Sequence, residues 1–352
     1  MTRATLQDVA AAAGVSVASA SRALSGGSAS PRMLRRVRAA ARDLNYLADS
    51  TARALRNGGA TRRVAVAVDD IGNPNYVAML RAIESRFGSD GPRVSVSSTG
   101  DPSRTADWVR QQSQGAADGV ILSSLRSDDP LRRAIFGSAI PIVIIGSVGE
   151  GMAVDSVRVD SSIAIELAAS HLHALGRRSF AFLNGPLDTR PGLMRERGFY
   201  RATRKLGVAD EHAIQVIASQ FTLEAGRAAA APLFERWHHQ PRHERVDAVV
   251  AANDLIALGV IVAAASAGLR VPSDIAVTGI DDIDFAAMYR PSLTSVSMFA
   301  ARRGELAAEL LLRRFEEPGR ATETIEVQPE LFVRDSTAGS TYEGSLFGER
   351  VG

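Results

Sequence analysis

The sequence predicts an all-α helix-turn-helix headpiece followed by an α/β body of two lobes built on parallel sheets. Three observations carry that reading. Near the N-terminus, short apolar stripes recur at helical spacing between capping and breaking residues. From Arg63 onward, short apolar runs alternate with helical segments, as expected of strands buried on both faces and joined by helices. The charge is also split. Residues 1–63 hold eleven arginines against Asp8, Asp43 and Asp49, a surplus of eight; with +2 on the whole chain, the remainder carries minus six. A basic head on an acidic body points to a polyanionic partner at one end.

The headpiece elements follow in order. Leu6, Val9 and Ala10 form the stripe of a first helix, which Gly14 can end in a left-handed conformation. Ser16 is a good cap for a second helix through Leu24, with Ala20, Ala23 and Leu24 inward. Residues 25–28 read as a loop. Ser30 then caps a third helix with Pro31 at its first position and Val37, Ala41 and Leu44 as its stripe. Three short helices with a tight second turn and excess arginine suit a DNA reader whose second helix enters the major groove. Arg22 is the best candidate base reader, because a guanidinium can bond guanine twice. Val17 and Ala18 offer apolar contacts, and Ser16, Ser19 and Ser21 suit phosphate. A small helical bundle without a ligand remains the alternative.

In the body, Val64–Val68, Val94–Val96, Gly119–Leu122, Pro141–Ile145, Phe180–Leu183, Ala248–Ala251 and Ile275–Thr278 read as strands. Segments such as Val77–Phe87, Thr105–Gln114, Ile163–Leu175 and Leu255–Ala267 read as the helices between them. About ten strands are too many for one compact sheet here, so two lobes are expected. Ligands in such sheets bind beyond the carboxyl ends of strands. Polar residues collect there: Asp69 to Tyr76, Ser123-Ser124, Asn184, Asn253-Asp254 and Gly279 to Asp282.

Several function classes fall away. The chain has 352 residues, 45% hydrophobic, and no cysteine, which removes disulfides, thiolate metal sites and cysteine nucleophiles. No run is long and apolar enough for a membrane span. The alanine-rich start resembles a signal only superficially, since Gln7, Asp8 and Arg22 interrupt it, so a cytoplasmic protein is expected. Dinucleotide, Walker and nucleophile-elbow motifs are missing. His171 and His173 point apart on a helix. Asp281-Asp282-x-Asp284 reads as a helix start rather than a metal site. Neither enzyme chemistry nor a cofactor is expected. Only Lys205 breaks the use of arginine as the basic residue.

Thr5-Leu6-Gln7-Asp8-Val9-Ala10, Ala13-Gly14-Val15-Ser16 and Ser21-Arg22-Ala23-Leu24 resemble the headpiece of the lactose repressor (LacI/GalR) family. Ser19 and Ala20 depart from the family's usual Thr-Val, and Ser25 from a common asparagine. Ser50 to Arg56 resembles the family's hinge helix. The resemblance implies that this segment folds when a dimer binds operator, with Ala52 and Leu55 in the minor groove and Leu55 wedging a base step. Thr5 joins the implied DNA contacts. In the body, Val157-Arg158-Val159-Asp160, Ala252-Asn253-Asp254-Leu255, Gly268 to Val277 and Pro291 to Val296 are similar to the family's effector domain. That domain is like periplasmic sugar-binding proteins, with two lobes, three crossovers and a small ligand between them. The resemblance covers residues 3–337.

It implies a DNA-binding domain at 1–49, a hinge at 50–60, an effector and dimerisation domain at 61–338 and a tail at 339–352. The lobes are expected at 61–160 with 292–322, and at 161–291 with 323–338. Arg195 is the implied ligand-holding arginine, Asn253 and Asp281 are hydroxyl or amine partners, and Phe221 is a stacking aromatic. Asn75, Tyr76, Ser123 and Asp160 are expected on the opposite lobe. Local roles stay open for Asp281 as a turn former, Phe221 as core and Asp160 as a helix cap. Gly146-Ser147 replaces a common Asp-Arg. The implied function is a transcriptional regulator, a repressor by family weight, gated by a sugar or sugar phosphate. With few basic residues identified in the cleft beyond Arg195, a neutral sugar is favoured, and a nucleobase is the alternative. The implied partners are double-stranded DNA with a pseudo-palindromic operator and a second copy in a homodimer. The dimer face is expected on the first lobe, near Met79–Ile83. A solute-binding protein without a DNA role is the competing class.

Overall fold

The computed structural model describes residues 5–24, 30–44, 63–99, 102–123, 128–146 and 153–338. The chain divides into two compact units, Met1–Thr61 and Arg62–Gly352. The hinge candidates Ala52 and Leu55 and the tail 339–352 lie outside the described residues.

The headpiece helices are Leu6–Ala12, Val17–Leu24 and Pro31–Asp43. Thr5 starts the first with a capping box: its Oγ1 accepts from the Asp8 amide at 3.3 Å, and its own amide donates to Asp8 Oδ2 at 2.8 Å. Gly14 takes φ 61° in the turn, where a side chain would be strained. Ser16 Oγ accepts from the Ser19 amide at 3.2 Å, and Ser30 Oγ from the Met33 amide at 3.3 Å. Val9, Ala10, Ala20, Ala23, Val37 and Ala41 share one small core. Small side chains let the helices approach closely, and Arg36 donates to the Ala13 carbonyl at 2.6 Å. Leu44 departs from expectation. It falls one residue past the helix end at Asp43 and is 37% exposed.

The body contains twelve strands among the described residues: β1 (Arg63–Val68), β2 (Arg93–Ser98), β3 (Gly119–Leu122), β4 (Ile142–Ile145), β5 (Asp155–Arg158), β6 (Phe180–Asn184), β7 (Ala213–Ile217), β8 (Ala248–Ala251), β9 (Ala276–Ile280), β10 (Thr294–Ser297), β11 (Thr324–Glu326) and β12 (Glu330–Phe332). They form two six-stranded sheets, ordered β11-β5-β4-β3-β1-β2 and β12-β10-β9-β8-β6-β7. Pairings are parallel except β10 with β12. Central strands β3, β4, β6 and β8 are buried throughout, which is why they read as continuous apolar runs. The edge strand β2 is serine-rich and largely exposed, a composition that discourages pairing with another chain.

The expected lobe boundaries need correction. β10 pairs with β9, Thr294 opposite Thr278, so it belongs to the second sheet. β11 pairs with β5, Thr324 opposite Ser156, and belongs to the first. The chain therefore crosses after β10, not at 291/292, and again between β11 and β12, not at 322/323. At the first of these crossings Phe299 takes φ 50°. The helix Ala300–Glu316 then packs on Pro74–Phe87, where a Cβ at Gly304 would meet the Met79 carbonyl oxygen at 2.4 Å. Met79 and Ile83 are thereby fully buried within the chain. Ala78, Arg81, Glu84 and Ser85 leave the opposite side of that helix exposed. The helices Leu223–Trp237 and Asp254–Ser266 approach just as closely, since a Cβ at Gly259 would meet the Leu223 carbonyl oxygen at 2.2 Å.

Candidate functional site

In the headpiece, Val17–Leu24 turns Ala20 and Ala23 inward and leaves Val17, Ala18 and Arg22 exposed. Arg32, Arg35, Arg36 and Arg38 are exposed on the third helix. The exposed face thus combines apolar contacts, one well-placed guanidinium and a field of positive charge. Other DNA candidates already have local work. The Thr5 amide and then its hydroxyl, which donates to Asp8 Oδ2 at 2.7 Å, hold the Asp8 carboxyl below its ordinary range. Ser16 Oγ donates to Ser19 Oγ at 2.9 Å. Ser21 is half-buried.

In the body, a cavity of about 680 Å³ lies between the carboxyl ends of the two sheets. Asn75, Tyr76, Ser123, Asp160, Arg195, Phe221, Asn253 and Asp281 all line it. The sequence scatters these residues over some two hundred positions, and the parallel strands gather them at one edge. The wall after β1 carries Asn75 and Tyr76 on the first turn of Pro74–Phe87, whose N-cap Asn73 accepts from the Asn75 amide at 3.0 Å. Asn75 Oδ1 is buried without a partner. Asp160 Oδ1 accepts from the Ser162 amide at 2.8 Å and the Ser162 hydroxyl at 2.6 Å, capping Ser161–Ala174. Its cap role and its place on the cavity wall coexist.

On the other wall, Arg195 rises from the buried side of Arg190–Lys205 and is 8% exposed. Its Nε has no hydrogen-bond partner, and its Cζ stands 5.7 Å from the centroid of the Phe221 ring. Phe221 lies against Gly185, where a Cβ would come within 2.2 Å of the ring. Asn253 Nδ2 donates to the Phe221 carbonyl at 3.2 Å, while its Oδ1 accepts from the Ile256 amide at 2.9 Å. One asparagine thus caps a helix and fixes the aromatic loop. Asp281 occupies the turn after β9 with φ 107°. Behind it, buried Asp254 accepts from the Ile283 amide at 2.9 Å and from Ser295 Oγ at 2.6 Å, bracing that turn. Asp282 pairs with Arg334 at 2.6 Å.

The cavity electrostatics follow from burial. Burial pushes the Asp281 carboxyl up to about 6, against the pull of Arg195 and Arg303. Asp254 is pushed well up by burial and then by Asp281. Burial also raises the Tyr76 hydroxyl, with Asp69 and Asp281 adding to it. The same cause lowers Arg195 and Arg303, opposed by Asp281. Arg158, Arg190 and Arg303 line the cavity together with Arg195, so the expectation of a cleft poor in basic residues is corrected. Arg303 escaped sequence reasoning because Arg302-Arg303 reads as a solvated pair. Its signal was its register: it shares the buried stripe of Ala300, Gly304, Ala307 and Leu311. Among the described residues, no cluster of three or more metal-ligating side chains is found. No described helix is long and apolar enough to cross a membrane.

Comparison with known proteins bears on both units. The family description "Bacterial regulatory proteins, lacI family" matches residues 5–49, and "Periplasmic binding protein-like domain" matches residues 169–337. The transcriptional regulator GntR of Pseudomonas aeruginosa is 32% identical, aligned over 95% of this chain and 96% of its own length. The chain belongs to the LacI family. DegA of Bacillus subtilis is 30% identical over 95% of this chain and 98% of its own. Among solved structures, a complex of the regulator CelR with cellobiose is 28% identical with a TM-score of 0.70, covering 95% of this chain and all of that one. The Lac repressor dimer bound to operator shares the fold, with a TM-score of 0.79 at 24% identity over 96% of this chain and 99% of the other. This LacI-family chain is a DNA-binding transcriptional regulator with a helix-turn-helix headpiece and a body built to bind a small effector.

Proposed function

We propose that this LacI-family regulator is a homodimeric, cytoplasmic repressor that reads a pseudo-palindromic operator and is switched by a carbohydrate-class effector held between its lobes. The observation that carries the proposal is the convergence of Asn75, Tyr76, Ser123, Asp160, Arg195, Phe221, Asn253 and Asp281 on one cavity. Asparagine and aspartate side chains suit hydroxyls, an aromatic face suits a sugar ring, and a guanidinium fork suits paired oxygens. Similarity to the ribose operon repressor of Escherichia coli, at 29% identity, and to a cellobiose-bound regulator supports a sugar-like ligand.

On DNA, Val17–Leu24 lies in the major groove with Arg22 on a guanine and Val17 and Ala18 on apolar base edges. Thr5, Ser16, Ser19 and Ser21 bond phosphate, and Ala52 and Leu55 enter the minor groove. Ligand binding changes the angle between the lobes and so the spacing of the paired headpieces. The coupling equals the ligand's preference between the two states, typically ~1–3 kcal/mol. No catalytic residue is assigned. Genomic fragments retained by the pure protein test this reading. Recovered sites should share two inverted half-sites about one or more helical turns apart; asymmetric or unrelated sequences would overturn it.

A further inference from the structure

The deep part of the cleft holds a second arginine beside Arg195. Arg303 sits on Ala300–Glu316, is 8% exposed, and uses Nε to donate to the Met298 carbonyl at 2.7 Å. That bond orients the guanidinium, which lines the cavity. Arg195 comes from a helix of the second lobe and Arg303 from a helix packed on the first. Among the described residues, neither guanidinium has a carboxylate oxygen within 4.0 Å. Of the carboxylates on the cavity wall, Asp281 is buried and Asp69, beside Tyr76, is half-buried, whereas Asp70, Asp160 and Glu326 are exposed. Asp70 Oδ1 already accepts from the Gly72 amide at 2.8 Å, and Asp160 Oδ1 is a helix cap. The inner part of the cleft therefore presents two guanidiniums that neither Asp69 nor Asp281 approaches within ion-pair distance.

An unpaired buried charge is costly, and the forked guanidinium matches an oxyanion in two places at once. Resting on the effector reading above and narrowing it, we infer that the effector carries an oxyanion, a carboxylate or a phosphate, on a hydroxylated skeleton, held between Arg195 of one lobe and Arg303 of the other. The rest of the wall suits the skeleton: Asn75, with its unpartnered buried Oδ1, Gln220 and Asn253 meet hydroxyls, and Phe221 meets the carbon face. A neutral sugar leaves both guanidiniums without an oxyanion in direct contact, with Asp281 acting on them only from beyond ion-pair distance. An anion bound to both draws the lobes together, so the group that sets affinity also drives closure.

Calorimetric titration of the full chain tests this inference. The probes are D-gluconate, D-glucuronate, D-glucose 6-phosphate and D-ribose 5-phosphate, each set against D-glucose or D-ribose. At least one acid or phosphate should bind about tenfold or more tightly than its neutral parent. Arg303→Met should erase that preference, and Arg303→Lys, which keeps the charge, should retain most of it. Preference for the acids or for the phosphates identifies the source of the oxyanion. Three results overturn the inference: a neutral parent that binds as well, a preference that survives in R303M while R303K behaves as wild type, or no binding by any anion of the panel at millimolar concentration. Failure of the regulator reading is separate, because it shows as a bound ligand that leaves promoter-fragment binding unchanged.

Discussion

Asp281→Asn isolates the energetic strain stored in the effector cleft. The Asp281 carboxyl is buried and pushed up to about 6 from an ordinary 3.8. Between about pH 4 and about pH 6 the folded state keeps a proton that the unfolded chain has already released. Stability from this group is therefore fully present below about pH 4 and is lost as pH rises through about 6. A shift of roughly two pH units corresponds to about 3 kcal/mol. Asparagine keeps the shape and tolerates the positive φ of 107° at this position. Urea unfolding of the full chain, wild type against D281N, should give similar stabilities near about pH 4. The variant should then gain up to about 3 kcal/mol over wild type by about pH 7. The difference between the two proteins is diagnostic because other titrating groups largely cancel in it. His171, lowered by burial, contributes the opposite slope to both. Asp254 contributes the same sign as Asp281, and less so in the variant, since the Asp281 charge is one cause of its rise. A stability difference that does not change with pH would refute the reasoning.

Three further outcomes follow from the same geometry. Gly304→Ala forces Pro74–Phe87 and Ala300–Glu316 apart, because the new methyl meets the Met79 carbonyl oxygen at 2.4 Å. Overpacking of ~1–3 kcal/mol, partly offset by about 1 kcal/mol of helix propensity, should lower the thermal midpoint; an unchanged midpoint would contradict the close approach. Arg22→Ala should relax choice at one base pair by ~1–3 kcal/mol in a binding-site selection, and an unchanged site preference removes it as base reader. Leu55→Ala should weaken operator binding and reduce the bend seen in a circular-permutation gel assay, whereas a variant that bends DNA normally removes the wedge.

Much of this fold was legible in the sequence because its signals are local. Ser30-Pro31 marks a helix start, and the short all-apolar run Ala248–Ala251, followed by Asn253-Asp254, reads as a buried strand. The lobe assignment of the last strands was not legible. Thr294–Ser297 and Thr324–Glu326 are short and polar, and their sheets are chosen by distant partners such as Thr278 and Ser156. Asp155 opens β5 as a buried acid because Arg314 binds it at 2.8 Å across the lobe, a contact no local pattern announces. In the cleft, motif positions found the residues whose types are distinctive. Arg303 was hidden because an arginine on an amphipathic helix reads as solvated unless its register is checked against the buried stripe. Asp254 was grouped with Asn253 as a cleft residue, yet its carboxylate faces the opposite way and holds the Asp281 turn.

Ligand-dependent binding to a recovered promoter fragment, measured across a salt series with the full chain, bears most directly on the regulator account. The account predicts tight, sequence-selective binding that weakens steeply with salt and is shifted about fivefold or more by a compound that occupies the cleft. A compound that binds the cleft while the protein binds all fragments weakly and alike would contradict it. The chain would then be a solute-binding protein whose basic headpiece has another role.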